Sequence, residues 1–187
     1  AYNLIAAFGS SSLRLAYALA LSDLILAPAT PSNTARVGGV IMPITTSLAK
    51  AFGSEPQDGP RKIGSFLMQS IYQVNTITSA MFQTSMAGNT LVAALALQSF
   101  GIGITWGDWA MAAIVPGIIA LLIMPYFIYK VYPPEIRDAR EAQQMIKEEL
   151  KGLGKMSFQE WVMLGVFILA LVLWATDRKS TRLNSSH

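Results

Sequence analysis

Thr30-Pro31-Ser32-Asn33-Thr34-Ala35-Arg36 stands between two apolar stretches, residues 13–29 and 37–49. Three hydroxyls, an amide and a guanidinium within seven residues are expensive to hold in a bilayer. Polar groups at that depth are tolerated where they line a cavity or a path for a ligand. The heptad is therefore read as the tip of a helical hairpin, residues 13–52, whose arms are the flanking apolar stretches.

Working outward, charge sets the class. Charged residues make up 13% of the chain, against about 25% in an ordinary soluble domain, and the mean hydropathy is +0.42. Residues 63–107 contain no Lys, Arg, Asp or Glu, and neither do 109–129 or 161–176. About 20 apolar residues cross the hydrocarbon core as a helix. The expected fold class is an all-α integral membrane protein, with the lipid bilayer as its first partner.

The same composition excludes other classes. Among 187 residues there is no cysteine, and the single histidine is residue 187, so no disulfide, thiolate or imidazole metal site is expected. The net charge of +3 equals Arg178, Lys179 and Arg182 alone. That excess is not interleaved with aromatics, so no nucleic-acid partner is expected. Residues 178–187 break abruptly from an apolar helix and are set aside as an assembly artefact. Together with a start that lacks Met, they are read as the mark of an internal segment of a longer protein. No serine-elbow, zinc-helix or phosphate-loop motif occurs, and the acidic pair Glu148-Glu149 falls in a linker. The expectation is a protein that is not an enzyme and needs no cofactor.

Along the chain, a charged loop at 53–62 follows the hairpin. Residues 63–105 form a long apolar segment interrupted by Gln83-Thr84-Ser85 and Gly88-Asn89-Thr90, which reads as a broken helix. A span at 109–130, a linker at 131–156 and a span at 158–176 complete the order. Arg14, Lys50, Arg61 and Lys62 flank the hairpin, and Lys130, Arg137, Arg140, Lys147, Lys151 and Lys155 crowd the linker. If all of these are cytoplasmic, the hairpin enters and leaves on one side and the broken helix crosses once. Trp106, Trp109, Tyr126, Tyr129, Tyr132, Trp161 and Trp174 then mark span ends. Residues 134–150 alternate charges with apolar positions, as in a surface-lying amphipathic helix or a solvated linker helix.

Ser32 after Pro31 suits a helix N-cap. A helix start inside the membrane also presents free N–H donors and the positive end of a dipole, which makes an anion site. Asn33 and Thr34 add neutral donors, and this reading is weighted above simple capping. Arg36 needs a partner, either Asp23 on the opposite arm or an anionic ligand. Gly88 lets the backbone unwind, so that carbonyls and side-chain oxygens beside it can take an ion or ligand; the plainer reading is a small-residue packing face. The candidate ligand-binding residues are Ser32, Asn33, Thr34, Arg36, Asn89 and Thr90. Gln69, Gln73, Asn75, Thr76 and Thr78 read as interhelical hydrogen-bond formers.

The run Ala27-Pro28-Ala29-Thr30-Pro31-Ser32-Asn33-Thr34-Ala35-Arg36 resembles the divalent anion:sodium symporter family. So do Ser70-Ile71-Tyr72, Met86-Ala87-Gly88-Asn89 and Tyr132-Pro133-Pro134-Glu135-Ile136. The nearest branch holds tartrate/succinate and citrate/succinate antiporters and plant 2-oxoglutarate/malate translocators, and the resemblance covers residues 1–177. It implies one half of an inverted-repeat, elevator-type transporter with a re-entrant hairpin and a discontinuous transmembrane helix. It also implies a homodimer in a bacterial inner membrane, with an organelle inner envelope as the second location. Each repeat contributes one Ser-Asn-Thr tip, and two tips hold the carboxylates of a di- or tricarboxylate such as succinate, tartrate, malate or 2-oxoglutarate.

Ser32, Asn33 and Thr34 match the first tip. Gly88 matches the stretch that completes a sodium site in cation-coupled relatives, which makes Ser32, Asn33 and Gly88 the candidate cation-binding residues. One departure bears on mechanism. Pro28 stands where sodium-coupled members place a small hydroxyl residue, so the resemblance implies sodium-independent exchange in which Arg36 supplies part of the missing positive charge. Sodium-coupled symport is the alternative, and a non-transporting membrane scaffold is the alternative of another class.

Overall fold

The computed structural model describes residues 10–140, 144, 148 and 157–176. Regular structure among them is helical. Helix α1 is Ser12–Leu26, capped by the Ser11 hydroxyl, which accepts from the Arg14 amide. Pro28 sits in a single 3₁₀ turn, Ala27–Ala29, at its end. Beyond Ser32 the chain turns back through α2 (Asn33–Arg36), a π turn (Val37–Ile41) and α3 (Met42–Ala51).

The π turn has a local cause. Pro43 lacks an amide hydrogen, and its ring crowds the carbonyl four residues back. A wider i→i+5 turn moves that carbonyl aside, and Gly38 and Gly39 leave open space around it. The burial pattern follows: Arg36, Ile41, Thr45 and Leu48 are buried, a first step of five residues and then the ordinary four and three.

Helix α4 is Gly64–Met81, followed by a 3₁₀ turn at Gln83–Ser85 and α5 at Ala87–Phe100. Gly101 ends α5 at φ 68°, a left-handed conformation suited to glycine. Helix α6, Trp106–Val131, opens with a reciprocal cap between Thr105 and Asp108. Helix α7 is Phe158–Thr176. Leu15, Leu19, Ile41, Leu48, Phe66 and Leu67 belong to one buried cluster, and Val74, Met81 and Leu121 to a second. The core therefore lies among α1, α3, α4 and α6.

Four helix ends meet at one rim. The Ser12 amide donates to the Arg137 carbonyl at 3.0 Å, and the Glu135 and Ile136 amides donate to the Arg61 and Lys62 carbonyls at 3.1 and 2.9 Å. The Gly64 amide donates to the Ser54 hydroxyl at 2.9 Å. The arm that leaves this rim in α1 thus returns to it in α3. Arg14, Arg61, Lys62, Lys130 and Arg137 gather there. Arg61 stacks over the Tyr132 ring at 4.8 Å and Lys130 over Tyr126 at 5.5 Å. Hydrogen bonds from Arg140 hold the Asp138 carboxyl below the usual carboxylate range.

The rim corrects one expectation. A helix was expected over 134–150; residues 133–139 are not helical and give their backbone groups to the rim instead, while the described residues beyond them, Arg140, Gln144 and Glu148, are helical. Pro133 and Pro134 supply no amide hydrogens and bias the chain toward extended conformations. Ala139 is fully buried there. Most of the remaining linker, with Lys147, Lys151 and Lys155, and the tail at 178–187 lie outside the described residues.

Two helical stretches, Ser12–Ala29 and Trp106–Val131, are long and apolar enough to cross a membrane. The outward face of α6 is apolar, with Met111, Val115 and Leu122 exposed. Helix α5 leads away from the body, exposing Leu91, Val92 and Leu95. The loop 101–105 then returns, since the Gln83 side-chain Nε2 donates to the Ile104 carbonyl at 3.3 Å. Helix α6 consequently begins beside the interruption at 82–86.

The close approach of α4 and α6 yields a test. A Cβ built on Gly117 would lie 2.5 Å from Cγ of Met81. Gly117→Leu is expected to destabilise the protein by about 1–3 kcal/mol, read as a lower thermal midpoint in detergent, and Met81→Ala in the same chain is expected to recover part of the loss.

Candidate anion-binding site

The polar heptad folds as the start of the returning arm. The Ser32 hydroxyl accepts from the Ala35 amide at 3.2 Å, and the Asn33 carbonyl oxygen Oδ1 accepts from the Thr34 amide at 2.9 Å. Ser32 therefore is an N-cap. Ser32 and Asn33 are half-buried and Thr34 is exposed, so the tip keeps an open side where a ligand can reach it.

Arg36 does not share that openness. Its side chain is 0% exposed. Nε donates to Oδ1 of Asp23 at 2.8 Å. Nη2 faces Oδ1 of Asn75 at 3.0 Å, Oγ1 of Thr78 at 3.1 Å and Oγ of Ser79 at 3.2 Å. Nη1 reaches the Thr30 carbonyl at 3.5 Å, a weak contact. The Thr78 hydroxyl donates to the other Asp23 oxygen. Of the two partners open to Arg36 in sequence, the structure supplies Asp23, so its positive charge is compensated beneath the tip rather than presented to a ligand.

The second polar interruption lies against the first. Thr84 Oγ1 donates to the Pro28 carbonyl at 2.7 Å and accepts from the Trp106 indole at 3.0 Å. Phe82 and Trp106 stack with ring centroids 6.0 Å apart, and the Trp109 indole donates to the Ala80 carbonyl at 2.9 Å. These two tryptophans, expected from the sequence to mark span ends, clamp the break.

Asn89 Nδ2 donates to the Ser79 and Phe82 carbonyls at 2.7 and 2.9 Å. The amide nitrogen is thus engaged in capping the end of α4 across the break. Ser79 links the two constellations, its hydroxyl facing Arg36 and its carbonyl facing Asn89. Thr90 is exposed and donates locally to the Ala87 carbonyl at 2.7 Å. Gly88 is half-buried. Among the described residues no hydrogen bond joins Ser32–Thr34 directly to Gly88–Thr90. Ser85 is fully buried and its hydroxyl has no hydrogen-bond partner among the described residues.

The polar stripe of α4 divides into two groups. Asn75 and Thr78 turn inward to Arg36. Gln69 and Gln73 instead line an outer groove of about 550 Å³ with Phe127 and Tyr132. Thr76 bonds back to the Tyr72 carbonyl at 3.0 Å. Pro28 and Thr84 form the contact that sequence reasoning missed: a hydroxyl within a break and a carbonyl freed by a proline turn were both visible, but nothing paired them.

Comparison with known proteins gives consistent results. A profile of the "Sodium:sulfate symporter transmembrane region" matches residues 1–186. The protein named "Putative malate transporter YflS" in Bacillus subtilis is 52% identical over 92% of this chain and 36% of its own length. Inner membrane protein YbhI of Escherichia coli is 49% identical over 93% of this chain and 36% of its own length. The chloroplastic dicarboxylate transporter 1 of Spinacia oleracea is 45% identical over 96% of this chain and 32% of its own length. The chain spans about a third of the length of these curated relatives.

The Thr84 clamp can be tested without any ligand. Thr84→Val removes the acceptor for Trp106 and the donor to Pro28. The expected cost is about 1–3 kcal/mol, chiefly from the indole N–H left unpaired, and is read as a lower thermal midpoint with altered tryptophan emission.

Proposed function

The chain belongs to the sodium:sulfate symporter transmembrane family, a family of membrane transporters, and from that premise we propose that the tip Ser32-Asn33-Thr34 binds one carboxylate of a di- or tricarboxylate. The whole protein then moves succinate-, malate-, tartrate- or 2-oxoglutarate-like anions across a membrane. The observation that carries this is the tip geometry: a capped helix start, half-buried Ser32 and Asn33, and a compensated cation behind them. Neutral donors and a helix N-terminus bind an anion without stranding a free charge in the membrane. The printed names of relatives, among them a citrate/succinate antiporter of Escherichia coli at 37% identity, support the substrate class.

We read the transport mode as exchange. A bound cation near such a tip adds positive charge and gathers oxygens. Pro28 supplies no side-chain oxygen for one, and Arg36 already gathers the oxygens of Asp23, Asn75, Thr78 and Ser79. The proposal corrects the simpler electrostatic expectation: Arg36 replaces a cation as an organiser more than as a free charge. A re-entrant hairpin follows from arms that leave and rejoin one basic rim. Elevator motion, an inverted repeat and a homodimer in a bacterial inner membrane complete the reading.

Sodium-coupled symport is the second reading, and one observation favours it. The buried Ser85 hydroxyl, without a hydrogen-bond partner among the described residues, lies at the break, two residues before the helix that carries Gly88, where a cation would find its oxygen.

Labelled succinate uptake by the full-length protein in proteoliposomes separates these. Exchange predicts uptake that requires internal dicarboxylate and is unchanged when sodium is replaced by choline. Strict sodium dependence with empty vesicles would reject exchange. Asn33→Ala is expected to reduce uptake at least about tenfold while the protein still folds and inserts; full uptake by that variant would reject the tip as the site and favour a scaffold.

A further inference from the structure

Four oxygen-bearing side chains on two other helices converge on one guanidinium at the root of the tip. We propose that Asp23, Asn75 and Thr78 are positioning residues that act through Arg36 to fix where Ser32, Asn33 and Thr34 present their donors. The proposal rests on the reading of that tip as a carboxylate site and adds residues that touch no substrate.

The geometry is directional. Arg36 lies in the same helical turn as Asn33, and its amide donates to the Ser32 carbonyl at 3.0 Å. Any rotation of the guanidinium is therefore transmitted to the tip. Its planar fork allows little slack. Nε is fixed to α1 by Asp23 at 2.8 Å, and Nη2 is fixed to α4 by Asn75 and Thr78 at 3.0 and 3.1 Å. Thr78 closes the ring by donating to Asp23, so the two anchors also hold each other. Asp23 is 2% exposed and Thr78 fully buried, so water cannot substitute for either bond.

A packing role alone does not explain this arrangement. Apolar side chains of similar volume commonly stabilise a buried site as well as an ion pair does. What they lack is a preferred orientation. Here orientation is set by four partners on two helices, and the Asp23 charge keeps the guanidinium from drawing the substrate below the tip. A displacement of about 1 Å at a binding group is enough to cost up to about a hundredfold in rate.

The test measures KM and maximal rate of succinate uptake by the full-length protein in proteoliposomes, alongside protein yield and thermal midpoint. Thr78→Val keeps the volume and leaves Asp23 and Arg36 paired. It is expected to raise KM about tenfold, with insertion intact. Asp23→Asn is expected to raise it further, and Asp23→Glu, which restores the charge, to recover part of the loss. KM unchanged in Thr78→Val and Asp23→Asn, with only yield or midpoint lowered, overturns the proposal. If Asp23→Asn does not accumulate, Thr78→Val decides alone. Asn33→Ala separates the two readings: KM raised there but not in Thr78→Val rejects the positioning role only, and KM unaffected by Asn33→Ala rejects the tip itself.

Discussion

The buried pair of Asp23 and Arg36 is the constraint on which the rest depends. Removing a charge from water costs several kcal/mol even after relaxation. A fully buried arginine one turn below the Ser32–Thr34 turn therefore demands a carboxylate at bonding distance and further acceptors for its remaining N–H groups. The carboxylate comes from α1 and the acceptors come from α4. Once both are supplied, the hairpin can no longer pack in another register or against another helix. The apolar cluster around Leu19, Ile41 and Phe66 then fills the space below, but its contacts are non-directional and would tolerate a sliding arm. The polar ring does not.

From that ring the two interruptions become one structure. Ser79 shares its hydroxyl with Arg36 and its carbonyl with Asn89, and Thr84 ties the second break to the carbonyl of Pro28. Backbone groups freed by a break in a membrane helix must find partners inside the protein. Here they find them in each other, so that irregular backbone is confined to one small volume beside the tip.

Much of this was legible in the sequence. The charge-free runs gave the helices α4 to α7, and the heptad gave the turn between two arms. Asp23 could be named as a partner of Arg36 because few acids lie within apolar sequence. Asn75 and Thr78 could not be separated from Gln69 and Gln73, because a polar stripe on a charge-free helix does not say which side meets the hairpin. The coarse family followed from the Ser-Asn-Thr tip and its neighbours. The start of the linker was misread because alternating charge was weighed above Pro133-Pro134, whose missing amide hydrogens keep 133–139 out of the helix that Arg140, Gln144 and Glu148 belong to. The Thr84–Pro28 contact was hidden because a carbonyl's availability depends on the turn that frees it, not on residue type.

The π turn at Val37–Ile41 has a consequence of its own. Each residue of an α-helix advances the side-chain direction by about 100°, so an uninterrupted α-helix would place Arg36 and Ile41 on different sides. The extra residue in the turn works as a vernier between two scales. Below it, the arm is indexed to the hydrophobic core; above it, the tip is indexed to Asp23 and α4. Side chains on either scale can change without disturbing the other, as long as that single residue of offset is kept.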